Sequence, residues 1–242
     1  MNCTIAESLD LASKLRDVLG GLRDIEVGIS PPFTALSEVV KRVQDSDLIV
    51  AAQHCHVEDG GAFTGETSIP MIADLGCSHV LLGHSERRQY FGEDDRGVNA
   101  KAKKVLAAGM RPVICIGERL SEREANQTFE VVGRQLAGAL EGLPASVAEQ
   151  IVVAYEPVWA IGTGKTASTA QAQEVHGFLR GQLLEILGAE AGATVRIQYG
   201  GSVKPENISG LMAQPDVDGA LVGGASLNAE SFIGILKYDR QA

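Results

Sequence analysis

No stretch of this sequence approaches the ~18–20 consecutive apolar residues that cross a bilayer. Nor does it open on a basic segment followed by an apolar core, so neither a spanning helix nor a secretory signal is expected. Cysteine is scarce. Cys3, Cys55, Cys77 and Cys115 form no C-x-x-C pair, which excludes a disulfide scaffold and points to free thiols in a reducing compartment, the cytoplasm by default. Positive charge is short as well: 21 Lys and Arg face 31 Asp and Glu, a net charge of -10. Such a chain has nothing to neutralise a phosphate backbone or an anionic membrane surface, so no nucleic-acid or membrane partner is expected. Any anionic ligand must be held by local backbone dipoles and one or two cations. Ser/Gly-rich linkers and low-complexity segments are also missing, and residues 1–242 read as a single domain.

What is present is an unbroken alternation of helix and strand patterns. Thr4 and Glu7 form a capping box ahead of an apolar face made by Ile5, Leu9, Ala12, Leu15 and Leu19. Short, continuously apolar strands are predicted at residues 26–29, 48–52, 79–82, 112–116, 151–155, 195–199 and 219–222. Helices lie between them, one at residues 99–108, one capped by Ser121 with Glu124 and running to about Glu141, and another capped by Ser168 with Gln171. Continuous apolar strands are those covered on both faces, as in parallel sheets. The pattern therefore predicts an α/β parallel barrel with seven strands, the first helix having no strand before it.

In such barrels chemistry sits at the C-terminal ends of the strands. Glu156 follows a strand directly, flanked by Tyr155 and Pro157. Burial there would make it a general base; a solvated or salt-bridged Glu is the alternative. His84 follows Gly83 at another strand end. A helical turn from Ser85 would set its ring near a helix N-terminus, neutral and able to donate a hydrogen bond; a core histidine or a metal ligand are the alternatives. The stretch at residues 157–167 has a stiff start, a glycine-rich tip and a small-residue finish, which suits a hinged lid. Its Gly164-Lys165-Thr166 is not a nucleotide loop, because that motif needs glycine where Trp159 stands. Gly200-Gly201-Ser202 and Gly223-Gly224 end the last two strands, where backbone N–H groups and a helix opened near Ser226 suit a phosphate. His54-Cys55-His56 reads as an exposed loop rather than a zinc site.

These segments together resemble the triosephosphate isomerase family: GHSERR at residues 83–88, AYEPVWAIGTGKTA at 154–167, YGGSV at 199–203, DGALVGGA at 218–225 and GAFTGETS at 61–68. The resemblance implies a (β/α)8 TIM barrel and a cofactor-independent, metal-free enzyme of glycolysis and gluconeogenesis. It would interconvert dihydroxyacetone phosphate and glyceraldehyde 3-phosphate through an enediolate, with Glu156 as base and His84 as its partner. By the same resemblance Gly162, Ser202, Gly223 and Gly224 hold the phosphate, and the loop around Thr64 plugs into a second subunit of a homodimer. One departure stands out. The family's first strand ends Asn-Trp-Lys-Met-Asn, and this sequence opens Met1-Asn2 inside that motif. The expectation is a barrel lacking its first strand, its substrate-contacting Asn and its catalytic Lys. An upstream segment of about ten residues, one short strand, would restore them, and without it the chain is expected to be a poor isomerase. The alternative is a non-catalytic phosphate-binding or scaffold protein of the same fold.

Overall fold

A computed structural model describes residues 1–22, 24–161 and 166–238. Seven strands form one parallel sheet in chain order: β1 (Gly28–Ile29), β2 (Ile49–Ala52), β3 (His79–Leu82), β4 (Arg111–Ile116), β5 (Val152–Tyr155), β6 (Arg196–Tyr199) and β7 (Gly219–Ala220). Among the described residues no ladder joins β1 to β7. The sheet nevertheless curls on itself, since Arg196 at the start of β6 pairs with Glu26 just ahead of β1. The architecture is the TIM barrel that the alternation predicts.

Eleven α-helices surround the sheet among the described residues: α1 (Ile5–Leu19), α2 (Phe33–Val43), α3 (Ile69–Asp74), α4 (Ser85–Phe91), α5 (Asp95–Ala107), α6 (Leu120–Glu124), α7 (Thr128–Leu140), α8 (Thr169–Leu187), α9 (Ala189–Thr194), α10 (Ile208–Met212) and α11 (Ala229–Leu236). α1 packs against both α2 and α11, so the helix layer closes around the strands. Two of the capping boxes form as read, with Thr4 N–H donating to Glu7 at 2.7 Å and Ser168 N–H to Gln171 at 2.9 Å, whereas Ser121 lies inside a helix that Arg119 caps. Three local predictions differ. The helix from Ser121 is two helices, broken where Asn126 turns left-handed at φ 58°. α5 starts earlier than Asn99, because Asp94 caps it through Gly97 N–H at 2.8 Å. The last α-helix is capped by Asn228, and Ser226 instead sits in a 3-10 turn.

Strand alternation sorts the core into two layers. Val113, Cys115, Val152 and Ala154 face inward and pack with Leu81 and Leu221 as the barrel's plug. Ile114, Ile116, Val153 and Tyr155 face outward and join the larger helix-side core. Each fully buried aliphatic side chain of this kind contributes about 1.5–3 kcal/mol. Carried one residue past β5, the same alternation turns Glu156 inward, in line with Val152 and Ala154. Carried two past β4, it turns Glu118 outward, beside Tyr155.

Candidate active site

Glu156 is 2% exposed, and both of its carboxylate oxygens are engaged. Oε1 lies 3.0 Å from His84 Nε2, and Oε2 accepts the Ser85 N–H at 3.0 Å. His84 is the residue that caps α4, with Nδ1 accepting the Glu86 N–H at 3.3 Å. That bond occupies the lone pair on Nδ1, so the neutral ring carries its proton on Nε2 and donates it to Glu156. The charge balance at His84 is less simple than a helix N-terminus alone suggests. Burial pushes its pKa down, but the hydrogen bond and charge of Glu156, with Glu86 and Glu93 beyond, outweigh it and raise the pKa above the ordinary histidine value.

The peptide before His84 is held from both ends. Gly83 N–H donates to Glu93 at 3.0 Å, and Gly83 C=O accepts from Arg88 Nε at 2.8 Å. Gly83 sits at φ 70°, and a Cβ there would lie 2.8 Å from Val98 and 3.0 Å from Cys115 O, so only glycine fits. Arg88 is fixed in turn on Asp95 at 2.6 Å, and Glu93 on Lys101.

A second buried carboxylate, Glu118, organises the chain around Glu156. It is 0% exposed and accepts from Tyr155 Oη at 3.1 Å and from Trp159 Nε1 at 2.8 Å, while Arg123 lies 3.7 Å away. Burial pushes its pKa up, and the Trp159 and Tyr155 hydrogen bonds and the Arg123 charge pull against that shift. Glu118 thus ties down the residues on either side of Glu156. Sequence reading passed over it, although the same criterion that singled out Glu156, a carboxylate just beyond a strand, applies to it.

The remaining sequence candidates are spread along the same sheet end. Gly200 N–H donates to Tyr155 C=O at 2.7 Å, which sets the 200–202 turn beside Glu156. Asn207 braces that turn by donating to Ser202 C=O at 2.9 Å. Gly223 and Gly224 are exposed after β7. Gly162, and with it residues 162–165 of the 157–167 stretch read as a lid, lies outside the described residues. A cavity of about 260 Å³ reaches Glu156 from the side of α4 and α7, lined by Ser85, Arg88, Gly117, Arg119 and Gln135 among others. Its lining includes neither His84 nor Ser202, Gly223 and Gly224. The structure therefore brings Glu156 and His84 into contact and leaves the glycine turns on neighbouring strand ends. The His54-Cys55-His56 stretch is not the exposed loop expected: Cys55 is 0% exposed, and His54 packs edge-on against Phe33 at 5.0 Å. Among the described residues no group of three or more His, Cys, Asp or Glu is placed to hold a metal ion. No described helix is long and apolar enough to cross a membrane.

A carboxylate and an imidazole in contact at the strand ends suit proton transfer at carbon. Comparison with known proteins gives the same direction. The family model for triosephosphate isomerase matches residues 1–239. The chain belongs to the triosephosphate isomerase family. Among its relatives, the triosephosphate isomerase of Trichlorobacter lovleyi is 55% identical over 97% of this chain and 94% of its own length. That of Moorella thermoacetica is 56% identical over 99% of this chain and 96% of its own length. That of Chloroflexus aurantiacus is 53% identical over 97% and 94%. The chain is accordingly an isomerase on the family's barrel.

Proposed function

We propose that this isomerase interconverts dihydroxyacetone phosphate and glyceraldehyde 3-phosphate, with Glu156 as the base and His84 as the hydrogen-bond donor. The observation that carries the reading is the 3.0 Å contact between the two side chains at the inner strand ends. A Glu base working with a neutral His is already characteristic of this family. Glu156 takes a proton from the carbon next to the substrate carbonyl. His84 Nε2–H is donated to the carbonyl oxygen and stabilises the charge that develops there. The resulting enediolate is reprotonated by Glu156 at the adjacent carbon, and His84 relays the proton between the two oxygens. No electron acceptor or cofactor enters this balance. Ser202, Gly223 and Gly224 supply the phosphate contacts, together with Gly162. The 157–167 stretch acts as a lid that excludes water while the enediolate exists.

The same reading makes the chain a single domain that pairs into a homodimer through the loop around Thr64. Residues 61–66 of that loop are exposed, Phe63 at 44%, which leaves an aromatic side chain to be covered. A reducing, cytoplasmic setting suits the thiols. Cys55, Cys77 and Cys115 are buried and unpaired, and burial pushes Cys55 up to about 12 and Cys77 to about 11.

The test is isomerisation in deuterated water. The wild-type chain is expected to incorporate solvent deuterium at carbon. Glu156→Gln, which keeps the shape and removes the base, is expected to lose that exchange by on the order of 10²–10⁴-fold. Retained turnover in Glu156→Gln overturns the mechanism. Phosphate binding with no carbon exchange in the wild type puts the non-catalytic reading in its place.

A further inference from the structure

The backbone of β4 presents its polar groups alternately to its two neighbours. Arg111 N–H donates to Ser78 C=O ahead of β3, while Ile116 C=O accepts Glu156 N–H on the β5 side at 2.7 Å. By that alternation Gly117 turns its N–H and C=O toward β3. β3 cannot meet them, because its pairing with β4 ends at Leu82 and Ile114 and the chain then turns away through Gly83 and His84. Two unmatched polar groups would be left at the centre of the sheet end.

Gln135 meets them where β3 has ended. It stands on the core face of α7 among Val131, Val132, Leu136 and Ala139, where an apolar residue would ordinarily serve, and is 7% exposed. Its Oε1 accepts Gly117 N–H at 2.7 Å and its Nε2 donates to Gly117 C=O at 3.3 Å. Gly117 in turn is pressed against the base. A Cβ on it would fall 1.7 Å from Glu156 C=O and 3.3 Å from Glu156 Cα, so the position of this peptide limits where the Glu156 backbone can lie.

We propose that Gln135 is a positioning residue for the proton transfer: by gripping both polar groups of Gly117 it fixes the peptide against which Glu156 is seated. The proposal rests on Glu156 being the base. It assigns to a helix-borne amide, remote from substrate, the task of keeping the carboxylate within the narrow range of positions from which it reaches carbon. Without that grip the end of β4 is free to shift, and Glu156 shifts with it. A displacement near 1 Å is enough to slow a positioned reaction by on the order of 100-fold.

The test compares Gln135→Met, of similar length and without the amide, with Asn99→Leu and Glu156→Gln. Asn99 is a buried amide too, but it bonds Ala139 C=O and Glu141 C=O at 2.8 and 3.0 Å, joining α5 to α7 away from Glu156. Gln135→Met is expected to lower kcat by roughly 10–100-fold per folded site with KM within about twofold. Its substrate deuterium isotope effect should rise as proton abstraction becomes limiting. Asn99→Leu should lose stability to a similar degree yet keep kcat and the isotope effect. Amide hydrogen exchange over residues 152–158 should quicken in Gln135→Met and not in Asn99→Leu, which reads the grip without turnover. Parental kcat, isotope effect and exchange in Gln135→Met overturn the proposal while leaving the base assignment intact. Retained turnover in Glu156→Gln removes both.

Discussion

His84 Nε2 and Glu156 Oε1 stand 3.0 Å apart, so the base and the donor are bonded to each other. Substrate binding has to exchange that bond for one to the carbonyl oxygen and an approach to carbon. The same contact governs the titration of His84. Burial alone would lower its pKa, and the Glu156 hydrogen bond and charge reverse the sign. We expect His84 to titrate by NMR above the ordinary value of about 6.5 in the wild type. In Glu156→Gln it should titrate clearly lower, since only Glu86 and Glu93 then oppose burial. Because the folded value is raised, this pair stabilises the fold fully below about 6.5 and loses that contribution as pH rises through the folded pKa. An unchanged His84 titration in Glu156→Gln would show that the carboxylate is not what sets it.

Glu118 offers a second prediction, on the order of the segment that carries the base. Glu118→Ala removes the acceptor of Tyr155 Oη and Trp159 Nε1 and strands the buried Tyr155 hydroxyl. A stranded buried donor costs about 1–3 kcal/mol, so urea unfolding should show a loss of that size. Glu118→Gln keeps the shape and one acceptor oxygen and should cost distinctly less. Trp159 is the chain's single tryptophan, so its fluorescence reports the site directly. Its emission should move to the red in Glu118→Ala if the ring loosens toward water. Equal stability and unchanged emission in the two variants would mean that Glu118 does not anchor this segment.

The positions of Glu156 and His84 could be read from sequence because strand ends are visible locally: a short apolar run stops, and the next residues are placed by the fold's geometry. The capping boxes at Thr4 and Ser168 were legible for the same reason, each being complete within four residues. Gln135 was not legible. An amide on the apolar face of a helix has a partner only once the helix is docked, and here that partner is 18 residues away, just past the end of β4. The split at Asn126 escaped as well, since only the positive φ marks the break. Burial of Cys55 is a tertiary result: two flanking histidines make the local sequence look polar, while packing places the thiol in the core.

The last prediction concerns acid stability. Burial, the main cause, with the Arg111 charge beside it, lowers His79 to about 4, and burial also lowers His54 and His176. In the unfolded chain these rings titrate near 6.5. Between those values the unfolded state binds protons that the folded state refuses, so stability must fall as pH falls. The contribution of His79 is fully present above about 6.5, is lost progressively below it, and stops changing near 4. One refused proton gives a slope of at most ~1.4 kcal/mol per pH unit. We expect urea unfolding at pH 7.5, 6.0 and 5.0 to show decreasing stability, with the slope shallower in His79→Gln because that variant has no proton to refuse. Restricting the range to pH 5 and above keeps most carboxylates out of the comparison. His84 works in the opposite sense, gaining stability as pH falls, so the wild-type slope is the difference between three histidines that resist protonation and one that favours it. A His79→Gln slope equal to the wild type's would show that the ring takes up its proton in the folded chain as readily as in the unfolded one.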